Sequence, residues 1–406
     1  MRRIGILTSG GDCQALNATM RGVAKSLYNM LDDVEIIGFE DGYKGLMYAD
    51  YQIMKPADFS GILTQGGTIL GTSRQPFKQM RVPDENGLDK VEAMKHTYKK
   101  LKLSCLVVLG GNGSQKTANM LSEEGLNVVS LPKTIDNDLA ITDHTPGYGS
   151  AAKYIGTATK EVIRDAIGLA YDKDIVTIIE VMGRNAGWLT GAAALAKGED
   201  CPGPDLIYLP EVPFDIQKFM KKVKGLLEKQ KSVVVAVSEG IKTKEGKYVC
   251  ELGNDNGYVD AFGHKQLTGT ATFLANTIQA ELGCKTRAIE FSTLQRSAAH
   301  LASRTDINEA FAAGGAAVKA AFEGDNGKMI ILKRVSDDPY QCTTDVYDVH
   351  KISNVEKLVP KDWITKDGTY VSDEFISYIE PLIQAELIPL PVEGLPRHLV
   401  LDLTKK

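Results

Sequence analysis

Asp136 and Asp138, separated by one residue in the run Thr134-Ile135-Asp136-Asn137-Asp138, are the sharpest chemical signal in this sequence. They follow a short apolar run, and if the chain stays extended through Asn137 their side chains alternate and face opposite sides. One carboxylate can then accept a proton while the other helps to hold a cation. Phosphoryl transfer to an alcohol needs that division of labour. An Asp/Asn-rich turn after a strand has the same composition.

Glycine loops form a second signal. Gly10 and Gly11 close an apolar run and lead toward a helical stretch from Leu16, and Gly110-Gly111-Asn112-Gly113-Ser114 repeats that setting before a helix over Gln115–Glu124. Residues without side chains let backbone N–H groups approach a phosphate at a helix terminus; each loop alone is equally a tight turn. The run GGNGSQKT is not a Walker A loop, because Gln115 stands where the glycine before Lys116 belongs. Arg74, Arg184, Arg287 and Arg296 are candidate phosphate ligands, since a guanidinium binds phosphate bidentately. Any one of them alone is also an ordinary surface ion pair.

Positioning such groups requires a regular frame. Ile4–Leu7, Val34–Phe39, Cys105–Leu109, Val128–Leu131, Ile175–Val181, Leu206–Leu209 and Val233–Val237 alternate with helical stretches and read as parallel strands with crossover helices. The expected class is a doubly wound α/β protein, whose ligands lie beyond the carboxyl ends of the strands. The two glycine loops, the TIDND run, Met182-Gly183-Arg184 and Ser238-Glu239-Gly240 all follow such runs. From about Val355 the chain is rich in Pro, Trp and Tyr and reads as a packed extension.

At 406 residues the chain fits two fused α/β lobes better than one core. A formal charge of −5 gives no basic field for nucleic acid, and no apolar run is long enough to cross a bilayer. The six cysteines form no CxxC pair, and the opening residues read as a strand and not as a signal peptide, so a reducing cytoplasmic setting is expected. Dispersed histidines argue against zinc, which leaves oxygen-ligated Mg²⁺ as the expected metal.

In sequence order, TSGGD, GYKGL, GTSR, GGNGS, PKTIDND, IEVMGR, SEG and TR…LQR resemble the phosphofructokinase family over nearly the whole of residues 1–300. The resemblance implies two Rossmann-like three-layer α/β/α lobes and a C-terminal extension. Residues 1–145 with about 295–354 would bind the phosphoryl donor, and 146–294 with about 355–406 would bind fructose 6-phosphate. It implies that Gly11, Tyr43, Arg74, Gln75 and Gly111, Asn112, Gly113 and Ser114 face the donor. Asp136 would be the base on the sugar 1-hydroxyl, with Thr134 beside it and Arg74 on the transition state. Asp138 and Asn112 would hold Mg²⁺, and Met182, Gly183, Arg184, Glu239, Arg287 and Arg296 would bind the sugar phosphate. A homodimer or homotetramer is expected by the same analogy.

The sequence departs from the family pattern at three places. Asn112 replaces the usual Asp, which predicts weaker metal binding; Thr293 stands where His is common; and Lys173 is the nearest cation to an arginine that a neighbouring subunit often lends. The donor is set by Gly113 and Lys133. Gly113 leaves room for an α-phosphate and adenosine, whereas Lys133, in PKTIDND, resembles pyrophosphate users. ATP is the expected donor and pyrophosphate the alternative. NAD kinases share a GGDG-type loop but lack MGR and TR…LQR. A regulatory subunit that has lost catalysis is the non-enzymatic alternative, against which Asp136, Asp138 and Arg74 all speak.

Overall fold

The computed structural model describes residues 1–73, 75–253, 267, 269–324, 326–351 and 356–397. The predicted strands form as β1 (Arg2–Ser9), β2 (Val34–Phe39), β4 (Leu103–Gly110), β5 (Val128–Pro132), β6 (Ile175–Val181), β7 (Leu206–Tyr208) and β8 (Ser232–Ser238). Sequence patterning did not reveal β3 (Tyr51–Met54), β9 (Lys285–Glu290), β10 (Lys328–Asp337) or β11 (Tyr340–Asp348). Three of these, β3, β9 and β11, lie at sheet edges, where one flank faces no neighbouring strand and polar residues blur the apolar pattern.

Strands β1 to β11 build two sheets, and Leu390–Val392 and Leu395–Arg397 form a separate antiparallel pair. One sheet is seven-stranded, in the order β11-β10-β5-β4-β1-β2-β3, and the other four-stranded, β7-β8-β6-β9. The smaller sheet is parallel throughout. The seven predicted strands pair in parallel, and the larger sheet adds antiparallel edges at β3 and β11, which were not among them. A short connection returns each edge strand beside its predecessor, which only an antiparallel pair allows.

Val107, Leu109, Val129 and Leu131 of the larger sheet are buried beneath helices Leu16–Met30 and Arg304–Glu323. These helices touch backbone to backbone. A Cβ built on Gly22 would lie 2.1 Å from the Phe311 carbonyl oxygen, and one on Gly314 would lie 2.2 Å from that of Thr19. The described part of the C-terminal extension is packed, as predicted: Trp363, Phe375 and Tyr378 surround the buried Trp188 with ring centroids 6.1, 5.8 and 5.2 Å away. Among the described residues, no helix is long and apolar enough to cross a membrane.

Candidate active site

The carboxyl ends of β1, β4, β5, β6 and β8 converge on a cleft of about 1000 Å³. Parallel strands deliver their following loops to one end of a sheet, so segments distant in sequence meet there. Gly11, Gln75, Gly111, Asn112, Gly113, Ser114 and Lys133 line one part of it; Thr134, Asp136, Asp138, Met182, Arg184, Glu239 and Arg296 line the rest.

At the glycine-loop end, Gly10 turns the chain out of β1 at φ +92°, a conformation that glycine adopts without steric cost. No atom lies within 4 Å of a Cβ built on Gly113, which faces open space. Lys133 is buried between the loops, and its ammonium donates to the Gly11 carbonyl. Burial lowers its pKa, while the nearby Asp12 and Asp136 act in the opposite direction.

The TIDND run departs from the predicted extended path. Asn137 adopts φ +54°, a left-handed turn that Asn tolerates better than most residues, and it brings Asp136 and Asp138 into the same cleft instead of on opposite sides. The Asp136 N–H donates to Thr134 Oγ1 at 3.1 Å, and Thr145 Oγ1 donates to the Thr134 carbonyl at 2.6 Å. Burial raises the Asp136 pKa, and the cations Lys133, Arg184 and Arg296 moderate the rise. Asp138 is pushed up to about 7 by burial, with Asp136 and Glu356 adding like charge.

At the opposite end, Gly183 has φ +133° and its N–H reaches Glu239 Oε1 at 3.4 Å. A Cβ on Gly240 would sit 1.9 Å from the Arg184 carbonyl oxygen, so glycine lets the loop after β8 rest on the loop after β6. Glu239 is pushed up to about 8 by burial and by the Asp136 charge. The buried Gln295 accepts from the Met182 N–H at 3.3 Å, which ties the LQR segment to the MGR loop. A Cβ on Gly11 would meet the Arg296 guanidinium at 3.4 Å, so this arginine also approaches the first glycine loop.

Not every expected residue is in the cleft. Tyr43 stands behind its wall, fully buried, with its hydroxyl donating to the Ser114 carbonyl at 2.8 Å; it supports the glycine loop rather than facing the donor. Arg287 lies on the edge strand β9 and pairs with Asp165 at 2.8 Å, outside the cleft lining, because β9 directs it toward the helix Tyr148–Leu169. Gly183 shapes the lining without being part of it. Arg74 lies outside the described residues. Asp12, Phe77, Lys78, Lys116 and Asn185 line the cleft and were missed. Asp12 and Lys116 sit within or beside the glycine loops and could have been found there; Phe77 and Lys78 carry no local signal.

Asp138 and Asn112 are neighbours, with the amide nitrogen 3.4 Å from Asp138 Oδ2. Two half-buried carboxylates, Asp136 and Asp138, and an amide that can turn its oxygen inward form an all-oxygen donor set, which suits Mg²⁺. His144, Glu309 and Cys342 form a separate ligand-type cluster outside the cleft lining. His144 is already bonded there to Asp143 at 2.8 Å and Glu309 at 2.5 Å.

Glycine turns at one end, carboxylates in the middle and arginines opposite are the arrangement expected of a phosphotransferase with an alcohol acceptor. Residues 3–321 match the family model described as Phosphofructokinase, and the chain belongs to that family. It is 36% identical over 404 residues to a pyrophosphate–fructose 6-phosphate 1-phosphotransferase of Xanthomonas campestris, covering 97% of this chain and 94% of that one. It is 41% identical over 341 residues to an ATP-dependent 6-phosphofructokinase of Spirochaeta thermophila, covering 82% and 87%. The crystal structure of a pyrophosphate-dependent phosphofructokinase from Nitrosospira multiformis superimposes with a TM-score of 0.86 at 30% identity, covering 99% of this chain and 96% of that one.

Proposed function

We propose that the chain is an ATP-dependent 6-phosphofructokinase that converts fructose 6-phosphate to fructose 1,6-bisphosphate in glycolysis, in the cytoplasm, as a homodimer or homotetramer without nucleic-acid or membrane partners. The observation that carries the donor assignment is the open space beside Gly113, into which a Cβ would project without meeting any atom within 4 Å. A nucleotide needs such room past its transferred phosphate; pyrophosphate does not. Phe77 and Lys116 also line the cleft and offer an apolar face and a cation for the rest of the nucleotide.

In the reaction, Asp136 takes the proton of the sugar 1-hydroxyl as its oxygen attacks the γ-phosphorus and the bond to the β-phosphate oxygen breaks. Its raised pKa makes it a stronger base than an exposed aspartate. Thr134 orients that carboxylate and the hydroxyl. Arg184 and Arg296 bind the 6-phosphate, Glu239 accepts from sugar hydroxyls, and Met182 packs against the sugar. The backbone of Gly11 and of Gly111 to Ser114 seats the donor phosphates. Asp138 and Asn112 would hold Mg²⁺, which would neutralise charge on the donor oxygens.

Lys133 favours a second reading, with pyrophosphate as donor, because a buried ammonium at the Gly11 carbonyl could move onto a pyrophosphate oxygen. Coupled steady-state assays with ATP and pyrophosphate in parallel decide between the two. Turnover with ATP supports the proposal; turnover with pyrophosphate alone overturns it.

A further inference from the structure

The C-terminal extension reaches the loop that carries Asp136 and Asp138. Tyr378, in the helix Asp373–Ile379, accepts a hydrogen bond at its hydroxyl from Asn137 Nδ2 at 2.9 Å and donates to the Asp143 carbonyl at 2.6 Å. Lys357 Nζ lies 3.2 Å from the Tyr378 hydroxyl oxygen and also donates to the Asp143 carbonyl. The Lys357 backbone N–H donates to the Asp138 carbonyl at 2.8 Å, and its carbonyl accepts from Trp188 Nε1 at 2.7 Å. One strap therefore holds the TIDND loop on one side and the segment after the MGR loop on the other.

Asn137 is fully buried and its backbone is left-handed. Its two side-chain bonds, to Tyr378 and from the Thr145 N–H at 3.1 Å, fix that turn. The turn in turn sets where both neighbouring carboxylates point. We propose that Tyr378 is a positioning residue for phosphoryl transfer, holding Asn137 so that Asp136 and Asp138 share one cleft. This rests on the assignment of Asp136 as the base. The ring packs against Trp188 and Trp363 at 5.2 and 5.4 Å, so Phe retains the packing and removes only the hydroxyl.

The test compares the full-length wild type, Tyr378→Phe, Asn137→Gly and the double variant, using kcat, KM for both substrates, and Tm. Glycine tolerates the left-handed turn and releases the same contact from the other side. Each single variant should lose roughly ten- to a hundredfold in kcat, because displacement of a reacting group is costly while the binding groups are untouched and KM stays constant. The double variant should lose less than about twofold beyond the worse single, since both substitutions break the Asn137–Tyr378 bond that sets the turn. Tm should fall by only a few degrees. A Tyr378→Phe enzyme with wild-type kcat, or losses that multiply in the double variant, overturns the proposal while leaving the kinase assignment intact. A wild type that phosphorylates nothing from either donor overturns both.

Discussion

The amide nitrogen of Asn112 lies 3.4 Å from Asp138 Oδ2, so a neutral hydrogen-bond donor faces the carboxylate proposed to hold Mg²⁺. An aspartate at position 112 would oppose Asp138 charge to charge without metal and join it around a cation with metal. Asn112→Asp is therefore expected to lower the Mg²⁺ concentration for half-maximal activity about tenfold. Its metal-free Tm should fall and recover on Mg²⁺ addition. An unchanged Mg²⁺ dependence would remove Asn112 from the metal site.

Asp136→Asn keeps the shape of the loop but cannot take a proton. The expected loss in kcat is on the order of 10²–10⁴-fold, with KM for fructose 6-phosphate changed little. Because the wild-type carboxylate is raised by burial, the variant should melt no lower than wild type at pH 8. Parallel falls in activity and Tm would indicate damage to the fold instead.

The donor assignment makes opposite demands on Gly113 and Lys133. Gly113→Asp fits the open space beside the loop and should fold normally, but its carboxylate meets the donor phosphates; ATP turnover is expected to fall by about a hundredfold or more. Lys133→Gly should weaken any pyrophosphate-driven rate more than the ATP-driven rate. A wild type that turns over pyrophosphate but not ATP, and loses that rate in Lys133→Gly, would favour pyrophosphate as the donor.

Glu239, pushed up to about 8 from the ordinary 4.5, links stability to pH. Between those values the folded protein keeps a proton that the unfolded chain has released, so this group's contribution is complete below about 4.5 and is lost as pH rises through about 8. Substrate-free Glu239→Gln should match wild type in Tm near pH 5 and exceed it by roughly 2 °C or more near pH 9. Thermal melts across that range check the sign. A variant that melts lower at pH 9 would contradict it.

The two glycine loops, TIDND, MGR and SEG were legible in the sequence because each is a local device. A strand ends, a turn needs glycine or Asx, and the next residues are delivered to the carboxyl edge of a parallel sheet. The central strands were legible for a similar reason, as apolar runs covered on both faces. The polar edge strand Lys285–Glu290 was not, and the structure pairs its Arg287 with Asp165, outside the cleft lining.

What only the tertiary structure decided is how those loops face one another. The left-handed turn at Asn137 put both aspartates in one cleft, against the alternation that an extended chain would give. Tyr43 passed behind Ser114 instead of into the cleft. The extension, to which the sequence assigned no chemistry, brought Tyr378 to Asn137 across 241 residues of chain. Residue types and their nearest neighbours fix backbone preference and chemical capability, whereas contacts across that separation depend on how helices and sheets pack once the chain has collapsed, and no local pattern encodes them.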